Sequence, residues 1–492
     1  MAMSSKASSF PSAMLSRTMA WKWARFACVA ALATLAAACD NSSLNEDETT
    51  FHMRALNLVE DSPTLSFDLD DTTVQSLAYG GASGFSAGHP GRHDITFHAL
   101  LPSDLDDDDD DDETDVDVSG TTSYTFLAGT PYTLIAYGTL ADIRTYMVEG
   151  LNQRDDVDDD KLVLQFTNAS PNAGEVDVYI TAANAGVTTR RYVDTLALTE
   201  SSSPQELTLV RDDDDLDDDS TLTTDVVVEL MRPGTTESIY RSDAITFSEQ
   251  GRALLAIANS RGPGTVPVRI VTLSGGSYRN AVDSAALKFV HISHDTPALD
   301  VTVGSGLADP LAQNIGFRQS TAYVDIKDGE NGMIAVPAGA GSPYVLFEEF
   351  TATGGGYYTA YAMGPASVVD AVVMAADGRS VPTQASFRFV HGAGSLEDDE
   401  PLDLYLRLPG EGVDFADDDT APSISSMTYQ TATSYFILKE GDYDIYFAHA
   451  GTSSIVFGPR SFHVSNGDVM SLVLMDDESG NLELLPVSDV AE

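Results

Sequence analysis

Apolar and polar residues alternate in short runs along most of the chain. Gly, Pro, Asn and Asp bound the runs, which is the pattern of β-strands joined by turns. Tyr344-Val345-Leu346-Phe347 and Tyr443-Asp444-Ile445-Tyr446-Phe447 are typical. Glycine turns then precede near-continuous apolar runs: Tyr132 to Tyr137, Leu254 to Ile257, Tyr357 to Met363, and Val469 to Met475. No useful window after residue 50 carries a 3.6-residue helical period.

The strand pattern recurs four times in the same order. Its opening reads Phe166-Thr167-Asn168-Ala169-Ser170-Pro171, then Val176-Asp177-Val178-Tyr179. Two later copies open Phe289-Val290-His291 and Phe389-Val390-His391, leading to Leu299-Asp300-Val301 and Leu402-Asp403-Leu404-Tyr405. The first copy is the weakest, with Ala55-Leu56-Asn57-Leu58 and then Leu65-Ser66-Phe67. Aligned on Asn57, Asn168, His291 and His391, the copies start 111, 123 and 100 residues apart, beyond the 20–50 residue period of a solenoid. An apolar–small–aromatic trio follows in copies one, three and four: Leu77-Ala78-Tyr79, Ile315-Gly316-Phe317 and Met427-Thr428-Tyr429. About seven short strands per hundred residues predicts an all-β chain of four tandem immunoglobulin-like β-sandwich domains. Their expected spans are 51–150, 162–276, 285–377 and 384–487, with an acidic linker at 151–161.

These motifs resemble the bacterial envelope family called domain of unknown function 4397. Its usual opening is close to V-N-A-S-P-D-A-P-x-V-D-V-Y, with a small–aromatic–glycine step and a closing Y-T-V-x-A-x-G strand. Asn168 to Tyr179 matches the opening best and Tyr132 to Gly138 the closing strand, while His291 and His391 replace the asparagine. The resemblance covers most of residues 51–487 and implies repeated all-β domains on an exported protein. It carries no catalytic residues over, because the family has no established activity.

The N-terminus predicts export. Lys6, Arg17, Lys22 and Arg25 precede an apolar stretch, Phe26 to Ala38, of 13 residues. In a helix that spans about 20 Å, short of the roughly 30 Å hydrocarbon core, so residues 1–38 read as a signal peptide. Its end, Leu35-Ala36-Ala37-Ala38-Cys39, resembles a lipobox with the leucine one place upstream of its commonest position. Cys39 is therefore the expected lipid attachment site; the other reading is ordinary cleavage after Ala38. Residues 39–50 read as a lipidated tether, and Met14 and Met19 are alternative starts. Asp40 after the cysteine resembles an inner-membrane retention signal in some bacteria. The expected location is the cell envelope, at the outer membrane or the periplasmic face of the inner membrane. Cys28 and Cys39 are the only cysteines, so no disulfide is available after cleavage.

The net charge is −50, and four of the cations but no acid precede Cys39, leaving −54 beyond it. That sign excludes nucleic acid as a partner. The acid clusters at 106–112, 155–160, 212–219 and 417–419, in expected loops and linkers. Such runs stay solvated. Loose Ca²⁺ capture is the functional reading, although none has the alternating spacing and central glycine of a calcium-hand loop.

Other candidate chemistry is sparse. Gly84-Phe85-Ser86-Ala87-Gly88 matches G-x-S-x-G, but His89-Pro90-Gly91 and a strand follow where a nucleophile elbow needs a helix. His89, His93 and His98 fall within ten residues around Asp94; His93 and His98, on one strand at odd spacing, should face opposite ways. Asn57, Asn168, His291 and His391 suit hydrogen bonds to neighbouring backbone. Asp177, Asp300 and Asp403, opposite in phase to their apolar neighbours, suit solvent exposure or a structural hydrogen bond. With no catalytic, cofactor or metal set and no polar constellation expected to be shared by the copies, the expected function is a non-catalytic envelope lipoprotein. It would display its domains for structural roles or for binding other surface proteins. The alternatives are a calcium- or carbohydrate-binding surface module and, last, an esterase-like enzyme using Ser86.

Overall fold

The computed structural model describes residues 49–102, 115–149, 157–158, 160–210, 221–263, 268–304, 309–340, 346–396, 401–415 and 421–490. The signal segment, Cys39, most of the tether, the acidic runs at 106–112, 212–219 and 417–419, and half of 155–160 lie outside these residues. Among the described residues the chain is β-structure, with two three-residue 3-10 turns at Ala183–Ala185 and Gly394–Leu396.

Eight sheets pair into four sandwiches, one for each repeat. Each opening strand lies centrally in its sheet and runs parallel to a later return strand. The pairs are Phe51–Val59 with Pro131–Thr139, Lys161–Asn168 with Gly251–Asn259, Ala285–His291 with Tyr357–Met363, and Ala385–His391 with Val469–Asp476. The second strand of each repeat crosses to the other sheet. Four separate cores result, built around Phe67 and Phe97, Phe166 and Val178, Phe289 and Val301, and Phe389 and Leu404.

The two kinds of sheet bury their strands differently. Val176–Ala182, in an outer sheet, alternates between buried and half-buried positions, as a strand with one wet face must. Ala285–His291 is buried at every position, and so is most of Val469–Asp476. The reason is a second pair of apolar layers. Leu56, Leu58, Ile135 and Tyr137 of the first sandwich pack on Ala169, Leu254, Ala256 and Val271 of the second. Val290, Ile292, Tyr361 and Met363 of the third pack on Val390, Val473, Met475 and Val487 of the fourth. The expected independent sandwiches are thus joined face to face in two pairs, each a stack of four sheets. Each large side chain in these layers contributes about 1.5–3 kcal/mol of burial, so neither inner sheet is a free surface.

The two pairs also touch. The Tyr357 hydroxyl donates to the Arg261 carbonyl at 3.1 Å. Gly262 sits so close to Gly355 that a β-carbon on it would lie 2.9 Å from the Gly355 carbonyl oxygen. Arg379, between the third and fourth sandwiches, donates to the Ser62 carbonyl at 2.7 Å.

Candidate functional site

Every opening strand ends in the same hydrogen-bonded device. The residue of the Asn/His column exchanges two backbone bonds with a tight turn, as where Gly80 N–H donates to Asn57 O and Asn57 N–H to Gly81 O. Thr199 and Glu200, Arg318 and Gln319, and Gln430 and Thr431 repeat this with Asn168, His291 and His391. The first turn residue has positive φ each time: Gly80 76°, Thr199 69°, Arg318 65° and Gln430 62°. Two residues before the column, the N–H of Ala55, Phe166, Phe289 and Phe389 donates to the hydroxyl of Ser83, Ser202, Thr321 and Thr433 at 2.8–3.0 Å. A polar constellation shared by all four copies therefore exists, contrary to the expectation from sequence, and it closes the sandwich edge.

The column side chains hold backbone in three copies. Asn57 Nδ2 donates to Leu77 O and Asn168 Nδ2 to Gly174 O and Leu196 O, at 2.8–3.1 Å. His291 has its Nε2 3.2 Å from Pro297 O and accepts from Ser293 N–H on Nδ1. His391 departs from the expectation: it is fully buried, and neither ring nitrogen has a hydrogen-bond partner among the described residues. Burial lowers its pKa to about 4.

The aspartates also act locally. Asp300 accepts from Asn314 N–H and Gly339 N–H, and those backbone bonds hold its pKa below the usual carboxylate value. Asp403 accepts from Ser426 N–H and Gly451 N–H, and Asp177 from the Thr195 hydroxyl. Asn314 and Ser426 both have positive φ beside irregular edge-strand pairing, so these carboxylates staple bulges.

Ser86 stands on the short edge strand Ser86–Gly88, paired antiparallel to Phe51–Val59, and the strand Gly91–Leu100 follows. The strand–turn–helix that would present a nucleophile is absent there. His93 and His98 do face opposite sides of Gly91–Leu100. His93 packs against Phe51 and Phe126 with Nδ1 on Asp70 and Nε2 on the His89 carbonyl. His98 lies between Asp68 and Asp117 on the outer face. Among the described residues no three His, Cys, Asp or Glu side chains converge as a metal site would require.

One feature carried no sequence signal. Where the two sandwich pairs meet, a cleft of about 220 Å³ is lined by Glu60, Tyr79, Arg261, Arg269, Tyr357 and Arg379 among others. The guanidinium groups of Arg269 and Arg379 lie 5.7 and 5.5 Å from the Tyr79 ring centre. The Tyr79 hydroxyl donates to Asn259 O at 2.8 Å, and burial raises its pKa. Burial also pulls the Arg379 pKa down.

The family model described as a domain of unknown function, DUF4397, matches residues 51–179, 285–405 and 407–492. The chain belongs to the DUF4397 family. No curated protein matches it. Two solved structures are similar at low level. One is the product complex of a multi-modular glycogen-degrading pneumococcal virulence factor, SpuA, at 8% identity and TM-score 0.16, covering 83% of this chain and 38% of that one. The other is a streptococcal ancillary pilin, at 9% identity and TM-score 0.14, covering 66% of this chain and 99% of that one. Scores this low carry no argument.

The first two DUF4397 matches end at Tyr179 and Tyr405, equivalent positions in the second member of each pair. Each therefore spans one sandwich and the first two strands of its partner, taking in the apolar junction as well as a core.

Proposed function

We propose that this DUF4397 protein is a non-catalytic lipoprotein of the cell envelope, anchored through lipid on Cys39. Its sandwich pairs serve structural or protein-interaction roles outside the membrane. The observation that supports this reading is the fate of the recurrent polar residues. In the four copies the Asn/His column, the Ser/Thr hydroxyls and the aspartates mostly bind the chain's own backbone at sandwich edges, which leaves little recurrent chemistry for a substrate. Stiff pairs with buried junctions suit display of surfaces at a distance from the anchor.

Radiolabelled palmitate incorporation tests the anchor. Label in the wild type and none in Cys39→Ala is expected; unlabelled wild type would refute it. A serine-directed phosphonate probe tests the non-catalytic part, and labelling of wild type that disappears in Ser86→Ala would replace it with a hydrolase.

A further inference from the structure

In a chain of 26 basic and 76 acidic residues, three arginines meet at one cleft. No single repeat contains it: Tyr79 comes from the first sandwich, Arg261 and Arg269 from the second, Tyr357 from the third, and Arg379 from the segment before the fourth. Strand register places Leu140, Ala366 and Glu478 where Arg261 stands in the other copies, so this charge is not part of the repeat's framework.

Glu60 and Asp377 also line the cleft and partly offset the charge of the three cations, but among the described residues no acid accepts a hydrogen bond from their guanidinium groups. Arg261 Nη2 is 3.6 Å from Glu60 and 3.9 Å from Asp61, beyond good hydrogen-bond distance. Asp61 already accepts from Leu140 N–H at 2.6 Å, and Asp377 from Arg379 N–H at 3.0 Å. Among the described residues Arg269 binds neutral hydroxyls through its terminal nitrogens, those of Ser277 and Ser260, and its buried Nε has no partner there. The half-buried Arg269 and Arg379 and the more exposed Arg261 keep guanidinium donors to spare, which suit a planar or tetrahedral oxyanion bound through paired N–H groups. At roughly 30 Å³ per water the space equals about seven waters, the size of a small anion or one acidic sugar.

We propose that this cleft binds a small oxyanion, a carboxylate or sulfate group, held between Arg261, Arg269 and Arg379. The site goes beyond the envelope-display reading and does not depend on Cys39. Because four segments build it, an occupant also clamps the two sandwich pairs together.

Isothermal titration of the purified full-length chain tests this, with sodium sulfate and sodium glucuronate as probes, glucose as the neutral control, and ionic strength held constant with sodium chloride. Saturable binding of at least one anion, and none of glucose, is expected. Sulfate alone assigns an inorganic anion, and glucuronate assigns a carboxylate on an organic carrier. Arg269→Gln and Arg261→Gln should each weaken binding about tenfold or more, the usual size of a lost charged hydrogen bond. Arg144→Gln, at an exposed pair with Asp142, should leave it unchanged. Saturation by neither anion, or wild-type affinity in both variants, would overturn the proposal. Should Arg269→Gln lower the unliganded melting temperature enough to confuse the reading, Arg261→Gln decides, because its side chain is 40% exposed and its loss leaves the cores intact.

Discussion

Ile292 of the third sandwich occupies the space beside Gly392 of the fourth: its Cδ1 lies 2.5 Å from where a Gly392 β-carbon would stand. Both residues directly follow the column histidine, so equivalent positions face each other, one large and one empty. Leu58 and Ala169 stand in the same positions in the first junction. A large residue in the leading sandwich and a small one in its follower lets two similar sheets approach closely. Gly392→Val should overpack the junction and destabilise it by about 1–3 kcal/mol. Adding Ile292→Ala should recover part of that loss. Urea unfolding of the single and double variants measures the coupling, and strict additivity would show that the two side chains do not meet.

His391 should make the fourth sandwich acid-sensitive. Its ring is buried without a partner and its folded pKa is about 4, against an ordinary value near 6.5 in the unfolded chain. Above pH 6.5 both states are neutral and stability is unaffected. As pH falls from 6.5 to 4 the unfolded chain takes up a proton that the folded one resists, so stability drops by roughly 3 kcal/mol and then levels off. His391→Asn, restoring the residue found at Asn57 and Asn168, should flatten that part of the pH profile. An equal acid loss in the variant would assign the sensitivity elsewhere.

Much of the strand content was legible because one-sided burial leaves a period of two, as in Val176–Ala182. The pairing of sandwiches was not. A strand such as Ala285–His291, buried between two layers of its own and its neighbour's residues, has the same apolar run whichever protein surface covers its second face. The backbone-holding role expected of the Asn/His column holds at Asn57, Asn168 and His291, whereas the His391 ring reaches no acceptor or donor among the described residues. Arg261, Arg269 and Arg379 have no periodic spacing, and only the contact between pairs brings them together.

The junction of the third and fourth sandwiches holds a charged group that it cannot easily lose. Asp489 is fully buried and accepts from the Tyr435 hydroxyl at 2.8 Å and the Ser471 hydroxyl at 2.5 Å. Its Oδ2 lies 3.7 Å from Nε of Arg388, which is 3% exposed. Asp489→Ala should cost about 3–5 kcal/mol, because it strands a buried guanidinium. The double variant Arg388→Met with Asp489→Leu should recover most of it. Failure of the double variant to exceed Asp489→Ala in thermal stability would mean that the loss comes from packing and not from the uncompensated charge.

Thr199 is a β-branched residue at φ 69°, where the first copy has Gly80 at 76°. It is held there because its N–H donates to Asn168 O at 2.7 Å, the bond that closes the sandwich edge. The left-handed conformation costs an L-residue about 1–2 kcal/mol, and glycine's extra freedom in the unfolded chain costs about 0.5–1 kcal/mol. Thr199→Gly should therefore stabilise the second sandwich by up to about 1 kcal/mol, against the usual direction of a glycine substitution. Thr199→Ala keeps the β-carbon and should give no such gain. Urea midpoints of the two variants separate strain from side-chain loss: a lower midpoint in Thr199→Gly than in Thr199→Ala would show that the turn is relaxed with threonine in place.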